Sequence, residues 1–133
     1  MSVVVDASLL VAATSDAGAE GRWAEDVVRT GSLVAPPLAL VEATNILRRF
    51  ELEGRLGRLD AGAAVRDLLL FDLELVPFAP FAERIWELRA NVTSYDAWYV
   101  AVAEQCALPL ATLDRRLARA TGPSCRFLLP PLS

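Results

Sequence analysis

Ser2-Val3-Val4-Val5-Asp6-Ala7-Ser8 decides how this chain is read. Three consecutive Val make a continuous β-branched run, not an alternating one. Such a run suits a strand covered on both faces, the situation of an inner strand in a parallel sheet. The run stops at Asp6, and Ser8–Thr14 continues in a helical pattern.

Further along the chain the same alternation recurs. Gly18–Arg29 reads as a helix with Trp23, Val27 and Val28 on one side, and Leu33–Ala35 as a short strand stopped by Pro36 and Pro37. Proline suits a helix start, and Leu38–Glu53 follows as a long helix. Gly54–Gly57 breaks it, and Asp60 is placed to cap a helix over Ala61–Asp72. Leu73–Phe78 reads as a strand, and Pro80–Ala90 as a helix with Phe81, Ile85 and Leu88 near one face. A helix over Ser94–Ala107, a strand over Pro109–Leu113, a short helix over Asp114–Thr121 and a strand over Arg126–Leu129 complete the pattern. Strands alternating with helices predict an α/β three-layer sandwich, a mainly parallel central sheet flanked by helices. The length of 133 residues fits one domain, 1–133.

Composition narrows the chemistry. At 54% hydrophobic and 23% charged residues the chain is no disordered segment, and it has apolar surface to spare for a partner. All 13 basic side chains are Arg, with no Lys and no His. Base composition alone can produce that bias, but the consequence is fixed. His acid–base catalysis, His metal ligands and Lys Schiff bases are excluded, which leaves carboxylates, hydroxyls, Cys and Arg. A net charge of −4 excludes a broad basic face for nucleic acid. Such a substrate would be held by a few Arg near a site, or through a metal. Cys106 and Cys125 stand in no metal-ligand spacing and read as buried free thiols. No apolar run is long enough to span a membrane, and Asp6 interrupts an N-terminus that lacks a preceding basic residue. A cytoplasmic location is expected.

Four carboxylates stand out. Asp6 and Asp114 each close an apolar strand, and ligands in open α/β sheets bind beyond the carboxyl ends of strands. Each could instead serve its own turn or cap, Asp114 for the helix that follows. Glu42 lies on a helix apolar nearly all round, in a narrow polar stripe with Asn45 and Arg49. A buried Glu needs a partner or a metal, and an ion pair with an Arg is the alternative to a site role. Asp96 falls in Thr93-Ser94-Tyr95-Asp96, a capping-box pattern with Asp in place of Glu. Two roles are open to it: capping the helix, or projecting from the helix end toward a metal. Four acids with no Lys to pair them make sense around a hard divalent cation, because Mg²⁺ and Mn²⁺ favour oxygen ligands.

Val4-Val5-Asp6-Ala7-Ser8, Val41-Glu42-Ala43-Thr44-Asn45-Ile46-Leu47, Ser94 through Glu104, and Pro109 through Leu117 closely resemble the four signature segments of PIN-domain VapC proteins. They occur in that family's order and at its intervals. The resemblance implies a PIN-like fold with a central parallel sheet, and Asp6, Glu42, Asp96 and Asp114 as an acidic quartet around Mg²⁺ or Mn²⁺. It implies supporting roles for Ser8, Asn45 and Thr112. It also implies cleavage of RNA, with tRNA or rRNA as targets, a homodimer, and a VapB-like antitoxin. Arg115, Arg116 and Arg119 are candidates for substrate phosphates, or form a solvated helix end. Two rival readings stand against this one. A phosphatase or receiver domain built on Asp6 requires a Lys that this chain lacks. A catalytically silent PIN-like module that only binds protein is opposed by the intact quartet.

Overall fold

The Val run does what its pattern predicts. In the computed structural model, which describes residues 1–132, strand β1 (Ser2–Val5) is the middle strand of a five-stranded sheet. Val3, Val4 and Val5 are each at most 1% exposed, so both faces of β1 are covered. Burying a Val side chain fully contributes roughly 1.5–3 kcal/mol. A charge at Val4 would therefore break the sheet at its centre.

β2 (Ser32–Ala35) pairs along one edge of β1 and β4 (Leu110–Ala111) along the other. Val4 lies level with Val34 on one side and Leu110 on the other. β3 (Leu73–Leu75) and β5 (Phe127–Leu128) complete the order β3-β2-β1-β4-β5, with every pairing parallel among the described residues. Parallel neighbours need crossover connections, which helices supply. α1 (Ala7–Ser15) and α2 (Ala19–Thr30) join β1 to β2, and α3 (Leu38–Leu52) and α4 (Arg58–Leu70) join β2 to β3. α5 (Ala82–Glu87) and α6 (Ser94–Cys106) lead to β4, and the short α7 (Arg115–Ala118) leads to β5. The chain thus builds to one side of β1, then returns and builds to the other. At that reversal a crevice opens beyond the carboxyl ends of β1 and β4. Asp6 and Asp114 follow those two strands.

Several sequence expectations need correction. α4 begins at Arg58, with Gly57 at the N-cap, so Asp60 sits in the first turn instead of capping. Its negative charge there still favours the helix N-terminus. α3 is not buried all round: it buries Ala39, Ala43 and Leu47, while Val41 and Leu52 are about two-thirds exposed. The helix forms one wall of the core, and its apolar outer face remains at the surface. Cys106 is exposed at the end of α6 and Cys125 is half-buried, both as free thiols. The residues from Ala79 to Phe81 form a 3₁₀ turn before α5, and Phe81, Ile85 and Leu88 are buried as expected. Among the described residues no helix is long and apolar enough to cross a membrane.

Candidate active site

Asp6 ends β1 and caps α1 with one carboxylate. Its Oδ1 accepts from the Leu9 amide at 3.0 Å and from the Ser8 hydroxyl at 2.6 Å. Its Oδ2 accepts from the hydroxyl of Thr112, which is fully buried. The same two hydroxyls also accept: Ser8 from the Leu113 amide at 3.0 Å, and Thr112 from the Asp114 amide at 2.9 Å. Ser8 and Thr112 therefore stitch the end of β1 to the segment leaving β4. Burial pushes Asp6 up to about 6; its three hydrogen bonds pull the other way, and the charge of Asp96 adds a further rise.

Asp114 is the N-cap of α7, and its Oδ1 accepts from the amides of Arg116 and Leu117 at 3.0 and 3.1 Å. The capping role is therefore real. It occupies one carboxylate oxygen, and among the described residues nothing donates to Oδ2. Asp96 stands in the first turn of α6, where its own amide donates to the Thr93 hydroxyl at 3.2 Å. Among the described residues no backbone amide donates to the Asp96 carboxylate, so the return half of the capping box is missing. Burial raises Asp96, the charges of Asp114 and Glu42 raise it further, and the Thr93 hydroxyl opposes them. Asp96 is thus the hub: Asp6, Glu42 and Asp114 all lie within electrostatic reach of it.

Glu42 is half-buried on α3. The ion pair with an Arg considered from sequence is absent among the described residues. Instead its Oε1 accepts from the hydroxyl of Tyr99 on α6 at 2.5 Å. The ion pairs among the described residues join Arg29 to Glu25, and Arg84 to Glu87 and Glu104. None of these pairs includes Asp6, Glu42, Asp96 or Asp114. The donor set is oxygen throughout, which suits a hard divalent cation. As the side chains stand, no three of the described acids close on a single point.

The sequence profile of the PIN domain matches residues 3–123. The chain belongs to the VapC family of PIN domains. It is 35% identical to the VapC ribonuclease Mb0985 of Mycobacterium bovis over 97% of this chain and 98% of that protein. It is 37% identical to the ribonuclease VapC1 of Mycobacterium tuberculosis over 95% of this chain and 96% of that one. Among solved structures it is similar to VapBC2 of Rickettsia felis bound to a promoter DNA fragment, with a TM-score of 0.68 and 15% identity over 98% of this chain and all of that chain. That last likeness concerns the fold.

The remaining candidates of this PIN domain are placed less uniformly. Asn45 is exposed on α3, one turn beyond Glu42. Arg115 donates to the Pro130 carbonyl at 2.5 Å and ties α7 to the segment after β5. Arg116 and Arg119 are exposed. A cleft of about 490 Å³ opens beside Ser8 and Leu113, between α1 and α3, with Ile46 and Phe50 on its apolar side and Asp16 and Glu20 at its rim. None of the four acids lines it. Sequence reasoning missed Tyr99. The available signal was its position three residues after Asp96, which puts both on one face of α6.

Proposed function

We propose that this PIN domain is a metal-dependent endoribonuclease, the toxin half of a toxin–antitoxin pair. The observation that carries the reading is that Asp6, Glu42 and Asp114 all lie within electrostatic reach of Asp96, while among the described residues none of the four has an ion-pair partner. Its setting at the strand-order reversal and the naming of its relatives as ribonucleases support it.

Asp6, Asp96 and Asp114 are the residues that would hold Mg²⁺ or Mn²⁺, directly or through water, and Glu42 holds the ion or orients the attacking water. Such an ion, when bound, supplies an acidified water and charge stabilisation for in-line displacement at a phosphodiester. The Ser8 and Thr112 hydroxyls fix both oxygens of Asp6, so its orientation is set before any ligand arrives. The free oxygen of Asp114 and the carboxylate of Asp96, to which no backbone amide donates among the described residues, complete the donor set. Arg116 and Arg119, just beyond Asp114, are placed to meet substrate phosphates. Arg115 is committed to the Pro130 carbonyl and contributes less.

The partners follow the same reading: an RNA such as tRNA or rRNA as substrate, a second copy of the chain, and a VapB-like antitoxin in the cytoplasm. A cationic side chain brought by that antitoxin would neutralise the acids and block the site. The exposed Val41, Leu52, Leu59, Leu69 and Leu70 are apolar surface available to such partners.

The test is cleavage of total tRNA and rRNA by the purified chain, with and without EDTA. The expected result is cleavage that EDTA abolishes, that Mn²⁺ or Mg²⁺ restores, and that Asp96→Asn removes. Undiminished cleavage by an Asp6→Asn, Asp96→Asn double variant would refute the assignment. A chain that cuts no RNA under any metal but captures its antitoxin would favour the silent binding module.

A further inference from the structure

Tyr99 is a buried hydroxyl in a helix that otherwise fills the core. Its neighbours Ala97, Val100, Ala101, Val102 and Ala103 are all at most 1% exposed, and Tyr99 itself is 1% exposed. Phe would pack there equally well. A buried hydroxyl without a partner is costly, so its acceptor matters. That acceptor is Glu42 Oε1 at 2.5 Å, which lies 57 positions away on a different helix. Among the described residues the hydroxyl has no other partner, and neither does the Glu42 carboxylate.

Two features of Glu42 make this contact consequential. Its surroundings on α3 leave it freedom, since Val41, Thr44 and Asn45 are exposed. Its charge and that of Asp96 also repel, as the rise in Asp96 records. A Glu side chain free on such a surface would swing away from the other acids and into solvent. The hydrogen bond from Tyr99 opposes that movement. It also occupies Oε1, which leaves Oε2 for other work.

We propose that Tyr99 is a positioning residue: its buried hydroxyl holds the Glu42 carboxylate against the repulsion of Asp96, so that Oε2 meets a divalent cation or an attacking water in one orientation. The proposal rests on the metal-dependent reading above. Groups that orient a metal ligand through such a bond are worth about 10–100-fold in metal affinity or activity.

The test is Tyr99→Phe in the full chain, which keeps the ring and removes only the hydroxyl. Calorimetric titration of EDTA-stripped protein with MnCl₂ should give a dissociation constant about 10-fold above that of the parent. Cleavage kinetics should show kcat falling about as far, with KM for RNA within about twofold, because Tyr99 does not touch substrate. In a Glu42→Ala background, Tyr99→Phe should change the Mn²⁺ constant no further, since it acts through Glu42. The proposal is overturned by Mn²⁺ affinity in Tyr99→Phe within about twofold of the parent. An equal loss in both backgrounds also overturns it, because it marks a loosened core and not a lost orientation. A parent chain that takes up no Mn²⁺ removes the metal reading and this proposal together; a parent that binds while Tyr99→Phe binds equally removes only the role of Tyr99.

Discussion

Asp6→Asn should make the metal-free protein more stable at neutral pH while abolishing its activity. Asp6 is 7% exposed, and burial pushes its carboxyl from an ordinary 3.8 up to about 6. That is about two decades of proton affinity at about 1.36 kcal/mol each, or about 3 kcal/mol. The sign follows from the direction. A raised folded-state value means the protonated form stabilises the fold: the contribution is complete below pH 3.8, declines as pH rises, and is gone once pH passes about 6. Asn at this position does not titrate. It keeps one oxygen for the Leu9 amide and the Ser8 hydroxyl, but turns an amide toward Thr112, at a cost of roughly 1 kcal/mol. The variant should therefore be less stable than the parent by about 1 kcal/mol near pH 4, and more stable by about 2 kcal/mol near pH 7. Urea titrations in EDTA across that range read both limits. Asp96 is coupled to Asp6 through its charge, so part of the difference between the two curves belongs to the pair. Parallel stability curves from pH 4 to pH 7 would refute the reasoning, because they would mean that Asp6 carries no buried charge.

Two further outcomes follow from the same site. Free Mn²⁺ at about 100 times its dissociation constant should add about 2.7 kcal/mol of stability, a melting shift of roughly 5–15 °C for a domain of this size. The shift should shrink as pH falls through about 6, where Asp6 takes up a proton; a melting temperature flat up to millimolar metal would remove the metal reading. Arg116→Ala or Arg119→Ala should each weaken RNA binding and reduce the slope of log affinity against log salt by about 0.7. Arg115→Ala should instead lower stability, since that side chain ties α7 to Pro130; a salt slope unchanged in all three variants would mean that none meets phosphate.

The sequence revealed most where local pattern and tertiary role coincide. The Val triplet announced a strand covered on both faces, and the acid that ends it pointed to the crevice. Strand ends were read too long: Leu73–Phe78 was expected and Leu73–Leu75 forms, Pro109–Leu113 was expected and Leu110–Ala111 forms. One backbone bond continues past each strand, from the Val76 amide to the Ala35 carbonyl and from the Thr112 amide to the Leu128 carbonyl, and the ladder stops there. Helix α3 misled for a related reason. Its apolar residues look like core, yet Val41 and Leu52 face outward, and one chain does not say which apolar faces await a partner. The partner of Glu42 was out of reach altogether. A Tyr inside an Ala and Val run reads as filler until the crossing of α3 and α6 is known. Asp114 reads in two ways, as cap and as site residue; the structure shows the cap on one oxygen and, among the described residues, leaves the other without a donor.

The clamp on Asp6 also sets a schedule. Asp6 is made 106 positions ahead of Thr112, whose hydroxyl grips it. At ~5–20 residues per second of synthesis, roughly 5–20 s separate the two on the ribosome. Once Ala35 is made, β1 has β2 to pair with but still lacks β4, and a nascent chain holds its first acid without the last. A translation product that stops short of Leu110 therefore carries neither the second wall of the crevice nor Asp114. On the ribonuclease reading, the set of acids proposed to carry the chemistry stays incomplete until Asp114 has been made.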